Sequence, residues 1–508
     1  MKRTFATTII CNCLYIINLY TLPGCTGPVQ TRAVSDGGTL VKKYCSNCHL
    51  APSPSLLDKK TWTEGILPGM APYLGIEVLQ GNVYLHSRQS AISHQDWTKI
   101  IAYYQTLAPD SLSAGGSDSI IKKESRIFDI KHPAADSSTI SATILTVINP
   151  AKQHFYTSSL NNSGLEEWDK KFNRIRFTAL KSAAVDVAFT NGSDIITSMG
   201  GMRALDNTIG EVVVSKRQGS KVTTRQLPQR YIRPVQSKPA DLNHDGLTDL
   251  IISSFGHNQG GLYWQKQLED HTYQKIAIRE VAGATQSETG DFNGDGWLDI
   301  IALFAHGDEG IWIFLNDKKG GFVTKNIIRF PPVYGSSSFQ LVDMNKDGRN
   351  DIIYTAGDNS DYSRILKPYH GLYVFLNTGN FRFRQAQFYP SNGCTKAMAA
   401  DFDLDGDMDV ATISFFADPG QKQDKKFLIF ENVYNISQKR HFLEPTYIPV
   451  GRKGRWISMD VNDSDGDGDQ DIILGNFSKG FMNQPDVKPD WDVHIPFVLL
   501  ENNSKMGR

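Results

Sequence analysis

The chain has 508 residues, 40% of them hydrophobic and 21% charged, enough for a sizeable core and for more than one domain. A formal net charge of −1 provides no broad basic surface and no Lys/Arg run supplies a local one, so the composition argues against a nucleic-acid partner. The six cysteines do not form a disulfide framework, because Cys11 and Cys13 fall in the N-terminal apolar stretch, Cys25 follows just after it, Cys45 and Cys48 form one motif, and Cys394 stands alone.

Lys2 and Arg3 precede an apolar stretch from Phe5 to Leu22, interrupted by Asn12 and Asn18, which reads as a secretory signal over residues 1–24 rather than a membrane span. Leu22-Pro23-Gly24-Cys25 resembles the bacterial lipobox, although proline at its second position departs from it. The resemblance implies lipidation of Cys25, a polar tether over 25–36, and an exported chain anchored at the cell envelope, periplasmic or at the cell surface. An ordinary cleaved signal or an uncleaved anchor is the alternative.

Leu40, Val41 and Tyr44 recur at helical spacing and lead into Cys45-Ser46-Asn47-Cys48-His49. Two thiols one helical turn apart can form thioethers with haem vinyl groups, and the adjacent imidazole can ligate the iron. A zinc site would need two more ligands, and a thioredoxin-like pair would sit in a βαβ pattern absent here. The expected cofactor is one covalent haem c on Cys45 and Cys48 with His49 as an axial ligand. Met70, in the proline-bounded loop Leu67-Pro68-Gly69-Met70-Ala71-Pro72-Tyr73, is the expected second ligand, with His86 and His94 as competitors. Ser93 to Asp96 reads as a capping box, and Trp97, Ile100, Ile101 and Tyr104 follow on one helix face. Residues 37–109 resemble a single-haem class I cytochrome c, which implies a small all-α domain. Residues 110–138, including Ser111-Leu112-Ser113-Ala114-Gly115-Gly116-Ser117, read as a linker.

From 139 to 508 an acidic loop recurs five times, with starts 50, 52, 58 and 62 residues apart. Side-chain oxygens stand at positions 1, 3, 5 and 9, with glycine at position 6. The sets are Asp241, Asn243, Asp245 and Asp249; Asp291, Asn293, Asp295 and Asp299; Asp343, Asn345, Asp347 and Asp351; Asp401, Asp403, Asp405 and Asp409; and Asp463, Asp465, Asp467 and Asp471. Odd spacing in a tight turn directs these oxygens to one point, which suits calcium, about four to five ions in all. An EF-hand would need glutamate at position 12, where Ile252, Ala302, Tyr354 and Thr412 stand. In the fifth loop two registers overlap, and the chosen one aligns Gly468 with the other turn glycines.

Each loop is followed by apolar strands and by a residue pair ending in asparagine, as in Leu315-Asn316 and Leu376-Asn377. With Phe255-Gly256 and Gly260-Gly261, these repeats resemble the FG-GAP or VCBS blades of integrin-α-type propellers from about Pro234 to Asn503. Upstream, Asp186 and Asp194 read as positions 1 and 9 of a blade without a site, and residues 140–180 as a further blade. The expected architecture is a small all-α cytochrome c domain followed by an all-β seven-bladed propeller.

No catalytic set is visible. His257, His306 and His370 fall in or beside loops between strands, as polar loop residues or as ligands for a substrate, and Cys394 reads as a buried free thiol. The leading function is extracytoplasmic electron transfer, with a redox partner protein or small-molecule reductant docked on the propeller. The alternatives are a propeller dehydrogenase feeding its own haem, which rests on fold analogy, and a surface adhesion or carbohydrate-binding lipoprotein.

Overall fold

The computed structural model describes residues 27–80, 82–113, 121, 123–218, 221–360, 365–417, 425–479 and 488–505. The signal over 1–24 and Cys25 lie outside the described residues. Among them, no helix is long and apolar enough to cross a membrane.

The N-terminal region begins with α1 (Gly27–Cys45) and ends with α2 (His94–Leu107). Ser93 caps α2 by accepting the Asp96 N–H at 3.1 Å. The two helices cross closely at Gly37, where a Cβ would stand 2.6 Å from the Lys99 carbonyl oxygen. Val41, Trp62, Trp97, Ile100 and Tyr104 form the core between them. Residues 59–74 are short helical turns, so Met70 ends a helical turn, Leu67–Met70, instead of standing in a loop. Residues 27–36, expected as a tether, belong to α1. The region is not all-α, because β1 (Ile76–Leu79) and β2 (Val83–His86) pair as an antiparallel hairpin.

Seven four-stranded antiparallel sheets follow, making the seven-bladed propeller. Blades 1 to 6 span 143–179, 184–226, 234–279, 284–329, 336–390 and 394–447. Blade 7 takes three strands from 456–502 and its outermost from β3 (Phe128–Lys131), which pairs with Phe497–Asn502. The stretch 110–138 is therefore only partly a linker. Phe128 and Ile130 pack on the core shared by blades 6 and 7, and the Tyr447 N–H donates to the Lys123 carbonyl at 2.9 Å. Joining an N-terminal strand to C-terminal ones closes the ring and hides its edges.

The second strands, such as Asp249–Ser254 and Asp299–Phe304, are buried along their whole length, which explains their Ile- and Leu-rich runs. Around the axis, side chains of one innermost strand grip the backbone of the next. Asp186 accepts the Ser237 N–H at 2.9 Å, Gln236 that of Ser287 at 2.6 Å, Gln340 that of Ala399 at 2.8 Å, and Asp460 that of Ile148 at 2.8 Å. The last of these joins blade 7 to blade 1.

Because every blade is an antiparallel meander, turns after the first and third strands lie at one end of the propeller, and the remaining connections lie at the other. All five acidic loops follow first strands and share one face. The N-terminal region meets the opposite face, where the Tyr369 hydroxyl donates to the Leu56 carbonyl at 3.0 Å and Tyr73 to Asn258 at 2.5 Å, with Val333 and Ile365 packed on the helical core.

Candidate metal centres and the N-terminal motif

Each acidic loop is shaped by its own carboxylates. The position-1 aspartate accepts the N–H of the position-6 glycine at 2.7–3.0 Å in all five copies. That glycine has φ between +79° and +96°, a conformation a side chain would strain. Position 4 is left-handed too, at His244, Gly294, Lys346, Leu404 and Gly466, with φ from +57° to +87°. The fifth loop follows the chosen register, since Gly468 donates to Asp463 and Ser464 to Asp471.

The position-9 aspartate behaves differently from the rest. Its Oδ2 accepts the position-2 N–H at 2.9–3.2 Å, and its Oδ1 accepts an N–H at the end of the third strand at 2.7–2.8 Å. Asp249, Asp299, Asp351, Asp409 and Asp471 are thus buried clamps between loop and sheet as well as candidate ligands. Burial pushes all five carboxyls upward against these backbone donors, Asp351 to about 6 and Asp409 to about 7.

The strand-end residues that supply these backbone donors are Gln267, Asn316, Asn377, Asn432 and Asn502. Three of these side chains also reach the preceding blade's loop. Asn316 donates to the Leu242 carbonyl at 2.8 Å, Asn432 to Met344 at 3.1 Å and Asn502 to Phe402 at 2.8 Å. Neighbouring loops touch as well, His244 stacking on Trp297 at 4.3 Å and Lys346 pairing with Asp407.

A divalent cation fits the donor set. Carboxylate oxygens of Asp401, Asp403 and Asp405 lie within 4.8 Å of one another, as do those of Asp463, Asp465 and Asp471. In the first three loops asparagine replaces one carboxylate and its amide turns to position 5, as Asn243 does to Asp245 at 2.7 Å. Asp241 Oδ1, Asn243 Oδ1 and Asp401 Oδ1 are buried without a hydrogen-bond partner, a cost that coordination would remove.

Blade 2 has no such loop, as expected, but its expected alignment is off. Asp186 lies inside the first strand, and Asp194 inside the second, because a two-residue turn at 191–192 replaces the loop. The propeller histidines do not converge. The rings of His257 and His306 lie 5.1 Å apart in a tilted pair, whereas His370 is 2% exposed, with Nε2 unpartnered and burial holding its pKa well down. Cys394 is fully buried and its thiol is pushed up to about 12 by burial.

In the N-terminal region Cys45 and Cys48 are free thiols, Cys45 half-buried and Cys48 exposed. Burial beside Cys48 pushes the Cys45 thiol up to about 11. Cys45 and Met70 pack against the same core, and the His49 Nδ1 lies 3.1 Å from the Leu50 carbonyl oxygen. His86 packs edge-on against His94 at 5.0 Å with both its ring nitrogens buried and unpartnered.

Residues 241–302 and 291–354 match the FG-GAP-like repeat family. The chain therefore carries FG-GAP-like repeats within a seven-bladed propeller, with the aspartate clusters typical of calcium sites in those repeats. A crystal structure of a protein from Lactobacillus plantarum is similar at 12% identity, over 61% of this chain and 87% of that one, with a TM-score of 0.39. No curated protein matches.

Proposed function

We propose that the chain is an exported electron-transfer protein, anchored through Cys25 at the cell envelope. Cys45 and Cys48 would hold one covalent haem c, with His49 and Met70 as its ligands, and a calcium-stiffened propeller would dock a redox partner protein or small-molecule reductant. The observation that carries this reading is the pair of thiols one turn apart followed directly by His49. With Nδ1–H given to the Leu50 carbonyl, Nε2 keeps its lone pair for a metal. The orphaned ring nitrogens of His86 and the indole nitrogen of Trp97 are further polar atoms that a prosthetic group could satisfy.

Bound haem would supply one-electron iron chemistry, and a thioether from Met70 would favour the ferrous state. Cys45 and Cys48 would attach the group and His49 and Met70 would hold it, next to the core of Trp62, Trp97 and Tyr104 against which Cys45 and Met70 pack. Calcium in the five loops, held by positions 1, 3, 5 and 9, adds binding energy to the folded ring.

Production in a host with c-type cytochrome maturation tests the reading. Haem should remain with the denatured polypeptide and disappear in the Cys45→Ser/Cys48→Ser variant, while Met70→Leu should lower the potential. A denatured wild-type chain free of haem would end it.

The alternative, a propeller dehydrogenase feeding its own haem, rests on fold analogy. Reduction of the oxidised protein by a small-molecule filtrate, with no protein partner added, would select it.

A further inference from the structure

Blades 3 to 7 join their first two strands through eight-residue acidic loops, whereas blades 1 and 2 use short turns at 150–153 and 191–192. The loop face is therefore notched above blades 1 and 2. Beneath the notch a cleft opens between them, with Glu167 and Arg176 on the wall of blade 1, Asp194 and Arg217 on that of blade 2, and Leu165 and Ile196 as its apolar part. The seam between blades 3 and 4 closes with rings instead, Trp264 standing edge-on to Phe322 at 6.1 Å.

Glu167 is 3% exposed and fully engaged. It accepts from the Tyr156 hydroxyl at 2.8 Å and from Arg217 Nη2 at 2.8 Å, with His154 Nδ1 at 2.9 Å and Arg176 Nε at 3.4 Å. Two other charged groups of the cleft are left over. Arg176 Nη1 is buried without a partner. The Asp194 carboxylate, 21% exposed, makes no hydrogen bond among the described residues and has its ion pair, Lys152, 4.0 Å away. The two stand on opposite walls and do not pair with each other. Neighbouring carboxylates do not fill the gap. Asp169 is held by the Lys171 and Asn173 N–H groups at 2.9 Å each, and Glu166, on the other side of its strand, pairs with Arg174 at 2.9 Å.

We propose that this cleft binds the head group of a free amino acid, its carboxylate on Arg176 and its ammonium on Asp194, with the side chain directed into the notch. A ligand of one sign would meet its like here, since an anion faces Glu167 and Asp194 and a cation faces Arg176 and Arg217. A ligand that carries both signs, one carbon apart, meets an opposite charge on each wall, and a guanidinium fork suits its planar carboxylate. Leu165 and Ile196 are left for the apolar carbon between the two groups. The site is separate from the haem reading and lies at the end of the propeller away from the N-terminal region.

Isothermal titration of the full-length chain in calcium, with glycine as the smallest such ligand and with a panel of other free amino acids, tests it. At least one should bind, and its N-acetyl and amide derivatives, each lacking one of the two charges, should not. Asp194→Asn and Arg176→Gln should each weaken that binding about tenfold or more. Because Asp194 makes no hydrogen bond in the fold, Asp194→Asn should melt with the wild type when no ligand is present, which separates lost binding from lost folding. Acetate binding as tightly as the amino acid overturns the inference, as does binding unchanged in either variant or no binding by any of the panel at about 1 mM.

Discussion

Asp409 separates the two roles of the acidic loops. It is 2% exposed, and its oxygens take the Phe402 N–H at 3.2 Å and the Asn432 N–H at 2.8 Å. Asp409→Ala leaves both donors buried without acceptors, at about 1–3 kcal/mol each. Against this, the variant escapes the cost of burying a carboxyl already pushed up to about 7, so the net loss in chelator should fall at the lower end, about 2–3 kcal/mol. Asp403 accepts one backbone N–H, from Asp405 at 3.1 Å, and burial beside Asp405 and Asp401 pushes its carboxyl up. Asp403→Asn keeps an acceptor and relieves that repulsion, so in chelator it should melt at or slightly above wild type. With free calcium at a hundred times the dissociation constant, wild type gains about 2.7 kcal/mol per site, and both variants should lose that gain at this loop. The assay is thermal unfolding of the propeller in chelator and in calcium. Asp409→Ala should melt low in both conditions, and Asp403→Asn low only in calcium. Equal melting of Asp409→Ala and wild type in chelator would refute the clamp, and a wild-type midpoint indifferent to calcium would refute cation binding.

Asn502→Ala removes side-chain bonds to the Phe402 carbonyl at 2.8 Å and the Gln470 carbonyl at 3.1 Å, and denaturant unfolding should show a loss of about 1–3 kcal/mol. Asp129→Pro removes the N–H that β3 turns toward Glu501, in the register set by the Asn503 N–H on the Ile127 carbonyl, so blade 7 should open and protease should cleave within 128–131 at a temperature the wild type resists. His370 titrates lower in the fold than in the unfolded chain because burial opposes its charge. The unfolded chain therefore binds the extra proton, and stability present above about pH 6.5 should fall by up to about 1.4 kcal/mol per unit as pH drops below it. Between pH 7 and 5, His370→Asn should flatten that part of the slope, read as the pH dependence of the unfolding midpoint; an unchanged slope would show that other groups carry it.

The blades were legible because their signal is local: five loops at fixed offsets and a buried second strand after each. The helix face of Trp97, Ile100 and Tyr104 was legible for the same reason, and all three are core. β3 was not, since Phe128–Lys131 gains its partner from Phe497–Asn502, at the far end of the chain, and its four residues carry too little periodicity to stand out from a linker. Asp186 misled because a strand aspartate that grips Ser237 in the next blade looks the same in sequence as a loop ligand. The strand-end asparagines were visible as a recurrence, but their reach to the preceding loop depends on how neighbouring blades stack. Cys45, Cys48 and His49 stand out by spacing alone.

The two faces of the propeller divide the work. A cation in an acidic loop would sit at the end away from the N-terminal region, so it would make no direct contact with His49. It can act on that region only through the ring, and the means are present: position-9 clamps tie each loop to the third strand of its own blade, Asn316, Asn432 and Asn502 tie loops of neighbouring blades, and the innermost strands grip one another through Asp186, Gln236, Gln340 and Asp460. Stiffening the loop face therefore limits how far blades 3, 4 and 5 can splay at the other face. Blades 3 and 5 carry Asn258 and Tyr369, so the spacing of these docking points follows from how firmly the ring is closed. In this arrangement cation binding maintains the geometry of the docking face by stiffening the ring that carries it.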